Sequence, residues 1–223
     1  MAKVISICSG KGGVGKSTIA AIIAIALSKE HKVLLVDADL GMTNLDIILN
    51  VHAAGYDLSD VYDKRCSIFD AIKKINNNLD LVNIYHESSI DYFAEDGVQR
   101  LLMLQSKNYD YVILDCPAGI EKGWRFCLTI SNTSYIVINP TPTSLRDAHS
   151  VVELIKKEYL QPYFFILNRA SFKDLKKTLN IYPAVGANLL FRLPENRNIM
   201  RGNFPDTLIK IILKSIENEK VEI

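Results

Sequence analysis

One stretch constrains this chain more than any other. An apolar, β-branched run, "KVISICS" (3–9), leads into "GKGGVGKST" (10–18) and on into "TIAAIIAIALSKE" (18–30). The first run reads as a buried strand. The last has no turn signal and is far too long for a strand, so it reads as a helix. Gly10, Gly15, Lys16 and Ser17 satisfy the phosphate-loop pattern G-x-x-x-x-G-K-[S/T], in the strand–turn–helix setting that the pattern requires. Glycines 12, 13 and 15 allow backbone conformations closed to other residues, so that successive N–H groups can converge on an anion. A helix opening at Lys16 adds its positive dipole end. Lys16 is the expected partner of the phosphates, and Ser17 is placed to offer a hydroxyl to Mg²⁺. Lys11 is one cation more than such a loop needs.

The rest of the chain repeats the same alternation. The runs 32–39, 79–85, 110–116, 134–140, 163–168 and 188–194 are mostly continuous apolar stretches. Continuous rather than alternating hydrophobicity marks strands buried on both faces, as in a parallel sheet covered by helices. "EDGVQRLLMLQSK" (95–107) and "SLRDAHSVVELIKKEYL" (144–160) carry apolar residues at helical spacing, and "DAIKKI" (70–75) is a shorter helical candidate. The predicted fold is a doubly wound α/β sheet, mainly parallel and flanked by helices, with ligands at the carboxyl ends of the strands. No linker or internal repeat divides the chain, and 48% hydrophobic content suffices for one large core. A single domain over residues 1–223 is expected.

Composition removes several function classes. A net charge of +1 gives no ground for a polyanionic partner. The longest apolar run, 19–27, is about half a membrane span and reads instead as a helix buried on both sides. Cys8, Cys66, Cys116 and Cys127 show no C-x-x-C spacing, which argues against zinc or iron–sulfur ligation and against a disulfide framework. The four histidines are scattered and read as surface or core residues. The N-terminus enters the first strand at once, so no signal peptide is expected.

Acidic residues close two of the apolar strands. The second ends in Asp37-Ala38-Asp39, and the run at 110–116 contains Asp115, followed by "PAGIE". A carboxylate ending a buried strand is what the second nucleotide motif requires to hold Mg²⁺. Asp39, on the segment beginning "DLGMTNLD", can orient or activate an attacking water. Each aspartate could equally cap a turn, but beside the phosphate loop the functional reading is favoured for Asp115 and for Asp39.

Together these residues resemble the MinD/ParA family of P-loop ATPases. "KGGVGKS" is similar to its deviant Walker A loop, and "VDADLGMTNLD" and "YDYVILDCPAGIE" to its two switch segments. "YDLSDV", "SLRDAHSVVELI", "LNR", and "RLPENRNI" followed by "RGNFP" match in the same order over nearly the whole chain. The likeness is strongest to the branch that positions the bacterial division septum. It implies an ATP-dependent dimerising ATPase, slow and stimulated by a protein activator, with ATP and Mg²⁺ as its ligands. Gly12, Gly13, Val14, Gly15, Lys16, Ser17 and Thr18 would bind the phosphates, and Ser17, Asp39 and Asp115 would serve the metal. Asn44 would lie near the attacking water, while Asn168 and the backbone at Pro194-Glu195 would read the adenine. Lys11 would reach across a nucleotide-sandwich homodimer to the other subunit's phosphates, although the loop itself equally allows Lys11 to fold back on its own nucleotide.

The resemblance also implies a cytoplasmic protein that visits the inner face of the cell membrane through a basic amphipathic C-terminal helix. The final segment, "DTLIKIILKSIENEKVEI", has an apolar face but only Lys210 and Lys214 within it and more acid than base at its end. A last core helix is the better reading, and a membrane partner is doubtful. Alternatives are a DNA-partition or flagellum-placement ATPase of the same family, or a metabolic ligase on the same fold. Against the first, which needs a basic surface for DNA, Lys173, Lys176 and Lys177 form a small cluster that a solvated helix face explains as well. Against the second, no acid–base constellation is left once the nucleotide residues are assigned.

Overall fold

Strand formation follows the apolar runs. In a computed structural model, residues 2–38, 45–51, 55–84, 107–119 and 122–219 are described. The strands are β1 (Lys3–Cys8), β2 (Val33–Asp37), β3 (Lys73–Lys74), β4 (Leu79–Asn83), β5 (Tyr111–Asp115), β6 (Thr133–Ile138), β7 (Tyr163–Leu167) and β8 (Leu189–Arg192). They form one sheet in the order β3-β4-β2-β5-β1-β6-β7-β8. Every pairing is parallel except β3 with β4. The first strand thus lies near the middle, and the strand order reverses on either side of it. Ligands of such sheets gather at that crevice.

The helices are α1 (Lys16–Leu27), α2 (Leu45–Ile48), α3 (Leu58–Tyr62), α4 (Ile68–Ala71), α5 (Lys122–Ile130), α6 (Pro142–Leu154), α7 (Phe172–Ile181), α8 (Pro183–Ala187), α9 (Arg197–Met200) and α10 (Asp206–Glu217). One face of the sheet packs under α1, α2 and α10, where Ile5, Leu35, Ile113 and Val137 meet Ile19, Ile23, Leu45 and Ile212. The other face packs under α3 to α6, with Leu34, Leu114 and Ile136 against Trp124, Leu145 and Val151. Alternate strand residues feed the two cores, which is why their runs are apolar throughout.

Helix α1 has nine of its twelve residues buried, because it lies between the sheet and a further helix, α10. A helix apolar all round has to occupy such a middle layer. Its length follows from its sequence, "KSTIAAIIAIAL", in which alanines favour the helix and the β-branched isoleucines fill the contacts.

Two local expectations need correction. "DAIKKI" is not a helix: α4 ends at Ala71, Ile72 is extended, and Lys73 and Lys74 pair antiparallel with Leu81 and Asp80. A two-residue edge strand has no periodicity to read, and its lysines suit a sheet edge. The run at 144–160 is helical only to Leu154; a wider π turn, Ile155–Tyr159, follows and ends where Leu160 takes φ 53°. The expected helix at 95–107 lies outside the described residues, apart from Lys107.

Candidate functional site

The turn after β1 carries the nucleotide motif, and its shape is held from several sides. Ser9 Oγ donates to the Lys11 carbonyl at 2.7 Å. Gly10 lies so close to α6 that a Cβ there would stand 2.6 Å from the Asp147 carbonyl oxygen. At Gly15 φ is +99°, a left-handed value that strains any side chain. A Cβ there would also meet the Asn168 amide nitrogen at 2.5 Å. That same nitrogen donates to the Val14 carbonyl at 2.8 Å, so Asn168, at the end of β7, braces the loop from behind. Gly13 has φ +75°, whereas Gly12 is not left-handed. Gly12 and Gly13 are both exposed, presenting backbone rather than side chains to an incoming group.

The Gly15 carbonyl accepts from Ile19 N at 3.0 Å and so begins the ladder of α1. Lys16 opens the helix and is 6% exposed. Among the described residues it has no ion pair. A buried ammonium is costly unless an anion meets it, so the loop fits a phosphate. Burial pushes the neighbouring Cys8 thiol up to about 12, against the pull of the Lys16 charge. Burial, with Cys127 next in order, also raises the Cys116 thiol well above its ordinary value. Both are neutral packed thiols, as the absence of metal-ligand spacing suggests.

Lys11 goes elsewhere. Its ammonium donates to Thr143 Oγ1 at 3.1 Å, on the exposed first turn of α6. The amino end of a helix carries partial positive charge, so this is an unfavourable resting place for a cation. The contact is easily given up for a negative partner.

Two acidic strand ends lie side by side. Asp37 of β2 and Asp115 of β5 are register partners, both 1% exposed. In the period-two alternation they follow Leu35 and Ile113, and so belong to the face covered by α1. Two buried carboxylates beside the start of α1 suit a divalent cation with oxygen ligands. Asp37 stands at the same end of the sheet as the loop, although the sequence motifs do not single it out. A signal for it exists, because it closes an apolar strand as Asp115 does. Beyond Asp115, a Cβ on Gly12 would come within 3.8 Å of the Ala118 Cβ, which places the start of the "PAGIE" segment against the loop.

Pro194 and Glu195 are exposed just past β8. They stand beside the Asn168 turn, because Leu193 N donates to the Leu167 carbonyl and Ala170 N to the Leu193 carbonyl, both at 2.9 Å. Ser17 and Thr18 are half-buried on the first turn of α1. The fold thus brings the loop, Asp115, Asn168 and Pro194-Glu195 to one end of the sheet. Asp39 and Asn44 lie outside the described residues.

Comparison with known proteins points the same way. A family model described as "AAA domain" matches residues 2–162. The septum site-determining protein MinD of Bacillus subtilis is 34% identical over 175 residues, covering 76% of this chain and 65% of that protein. The solved MinC:MinD cell division protein complex of Aquifex aeolicus superposes with a TM-score of 0.82 at 32% identity, over 100% of this chain and 98% of that one. MinD of Pyrococcus horikoshii, solved with Mg-ADP, gives a TM-score of 0.82 at 27% identity, over 99% and 97% of the two chains.

Proposed function

Because this chain belongs to the MinD/ParA family of P-loop ATPases, we propose that it is an ATP-hydrolysing, dimerising switch of the MinD type that regulates where the division septum forms. The observation that carries this reading is the loop itself. Exposed Gly12 and Gly13 amides, a buried Lys16 and the adjoining Asp37 and Asp115 carboxylates gather at one end of the sheet. Residues 1–223 are read as one ATPase domain.

In this reading the amides of Gly12 to Thr18 and the Lys16 ammonium hold the nucleotide phosphates. Ser17 and Asp115 would hold Mg²⁺, which would neutralise charge on the phosphates. Asp39 orients the attacking water, with Asn44 beside it. Asn168 has a double duty, bracing Val14 and, with the backbone at Pro194-Glu195, facing the adenine. Bound Mg-ATP supplies a γ-phosphoryl group, and its loss to water is the timing event of the switch. Lys11 is a finger in trans, released from Thr143 to reach the phosphates of a second copy. It adds positive charge where charge develops in the transition state. One such lysine per subunit, useful only when two subunits meet, ties hydrolysis to dimerisation. Basal turnover is therefore slow, and a protein activator accelerates it.

The membrane reading draws little support, since the apolar face of α10 lies on α1. The DNA-partition reading draws little from charge. The net charge is +1, and of the three α7 lysines Lys176 stacks 5.2 Å over the Phe172 ring.

Size-exclusion chromatography with ATP and with ADP tests the switch. An ATP-only dimer is expected. Lys11→Ala should leave monomer affinity for ATP within about threefold while dimerisation and hydrolysis fall together. Loss of ATP affinity in Lys11→Ala comparable to that in Lys16→Ala would make Lys11 an ordinary ligand of its own loop. A monomer in both nucleotides would overturn the switch.

A further inference from the structure

We propose that Glu30, His31 and Glu217 form a site for a divalent transition-metal ion, best matched by zinc, at the end of the fold opposite the phosphate loop. A carboxylate oxygen from each glutamate and an imidazole nitrogen all lie within 4.8 Å of one another. Tetrahedral zinc, with bonds of about 2.0–2.2 Å, would set such atoms about 3.4 Å apart. The remaining closure is small and falls on two exposed side chains, Glu30 and Glu217, which rotate without disturbing the core. Neither carboxylate is held in an ion pair among the described residues.

The backbone brings these groups together for reasons independent of any ion. Helix α1 ends at Leu27, and its carbonyl accepts from Glu30 N at 3.1 Å and His31 N at 2.9 Å, closing a tight turn. Glu217 is the last residue of α10, which packs along α1. Two helix carboxyl ends therefore meet here, and each carries partial negative charge that favours a cation. Asp110 and Tyr111 border the hollow beside His31, as do Lys3 and Lys107. The nearby cation Lys3 is occupied, 2.7 Å from Glu219.

The imidazole decides the ion class. A purely oxygen-lined pair of glutamates would suit Ca²⁺ or Mg²⁺, whereas a nitrogen ligand selects zinc and its neighbours. The His31 ring stands edge-on to Tyr111, with centroids 5.1 Å apart at 63°, which limits its orientation. Three protein ligands leave a fourth position for water, and of the three His31 borders an open hollow of about 610 Å³. Bound there, zinc would clip the end of α1 to the end of α10. The site serves the fold and is separate from nucleotide binding, since the phosphate loop lies at the other end of α1, about 18 Å away along the helix.

The test uses the purified full chain, titrated with zinc chloride against a chromophoric chelator and followed by thermal unfolding. One zinc per chain is expected, with a Tm rise of about 5–10 °C at roughly hundredfold excess over Kd. His31→Gln and Glu217→Gln should each weaken binding about tenfold or more and cut the Tm rise to about half or less. Lys16→Ala should bind zinc as the unaltered protein does, which separates this site from the nucleotide loop. Circular dichroism checks that each variant is folded, and the exposed Glu217 keeps the test decisive if the His31 variant is not. Absence of a stoichiometric zinc, or binding unchanged in the folded Glu217→Gln variant, would overturn the proposal.

Discussion

Helices α1 and α10 have the same length and lie against each other, yet they are built differently. Nine of twelve residues are buried in α1, against Ile209, Ile212, Leu213 and Ile216 in α10. The first is a middle layer and the second an outer one. The sequence difference follows from position: α1 is apolar all round, while α10 sets Lys210 and Lys214 toward solvent. Function divides in the same way. The amino end of α1 is continuous with the phosphate loop, so changes there should strike ligand binding. The core face of α10 holds no nucleotide residue, so changes there should strike stability.

The largest effect should come at Lys16. Lys16→Ala removes the loop's own cation but leaves the amides of Gly12 and Gly13 and the brace from Asn168. ATP affinity should fall more than about a hundredfold, since charge-assisted contacts to phosphate are lost from a buried site. Stability should not fall with it, because the substitution relieves the cost of burying an ammonium. Binding of a fluorescent ATP analogue and thermal unfolding, measured together, check both halves. A drop in Tm comparable to a core mutation would show that Lys16 holds the fold and would blur the division between the helices.

The reciprocal change is Ile212→Ala on α10. Ile212 is fully buried against the α1 layer, and truncating such a side chain costs about 2–5 kcal/mol through lost burial and a residual cavity. Urea unfolding should show that loss, while the folded fraction binds ATP with unchanged affinity. A matching loss of ATP affinity would mean that strain in α10 passes along α1 to the loop.

Much of this division is legible in the amino-acid sequence. Parallel strands buried on both faces leave continuous apolar runs, and the expected strands at 32–39, 110–116 and 163–168 contain β2, β5 and β7. The loop is legible because its glycines and lysine are adjacent in sequence. What escapes is contact between distant residues. Nothing in "LNR" says that the Asn168 amide reaches back to Val14, 154 positions earlier. Nor does "SLRD" show that the Asp147 backbone closes on Gly10. Asp37 carries a visible strand-end signal, but its pairing with Asp115 depends on a strand order that no local pattern encodes. Lys73 and Lys74 escape for the opposite reason, as two edge residues carry no period at all.

The smallest effect should be on the solvent side of α10, where the amphipathic pattern invites a membrane reading. Ile211 is 59% exposed, flanked by the exposed Lys210 and Lys214. A helix that lies in a membrane surface must bury its apolar face in lipid. Here that face is already in use: Ile209, Ile212, Leu213 and Ile216 lie in the core with α1. Lifting α10 into lipid would bare the α1 side chains beneath it, which forfeits about 1.5–3 kcal/mol for each one left exposed to water. The two lysines would recover about 1 kcal/mol apiece near anionic lipid, less the opposing effect of Asp206, Glu217 and Glu219. The core contact wins by several kcal/mol, and within α10 Ile211 is the one large apolar side chain left exposed to meet a bilayer. Ile211→Ser should therefore change stability by no more than about 0.5 kcal/mol. Sedimentation with anionic liposomes in ATP should be weak and equal for the two proteins. Strong ATP-dependent sedimentation that Ile211→Ser diminishes would show that α10 leaves α1 when nucleotide binds, and the two helices would then differ in mobility as well as in layer.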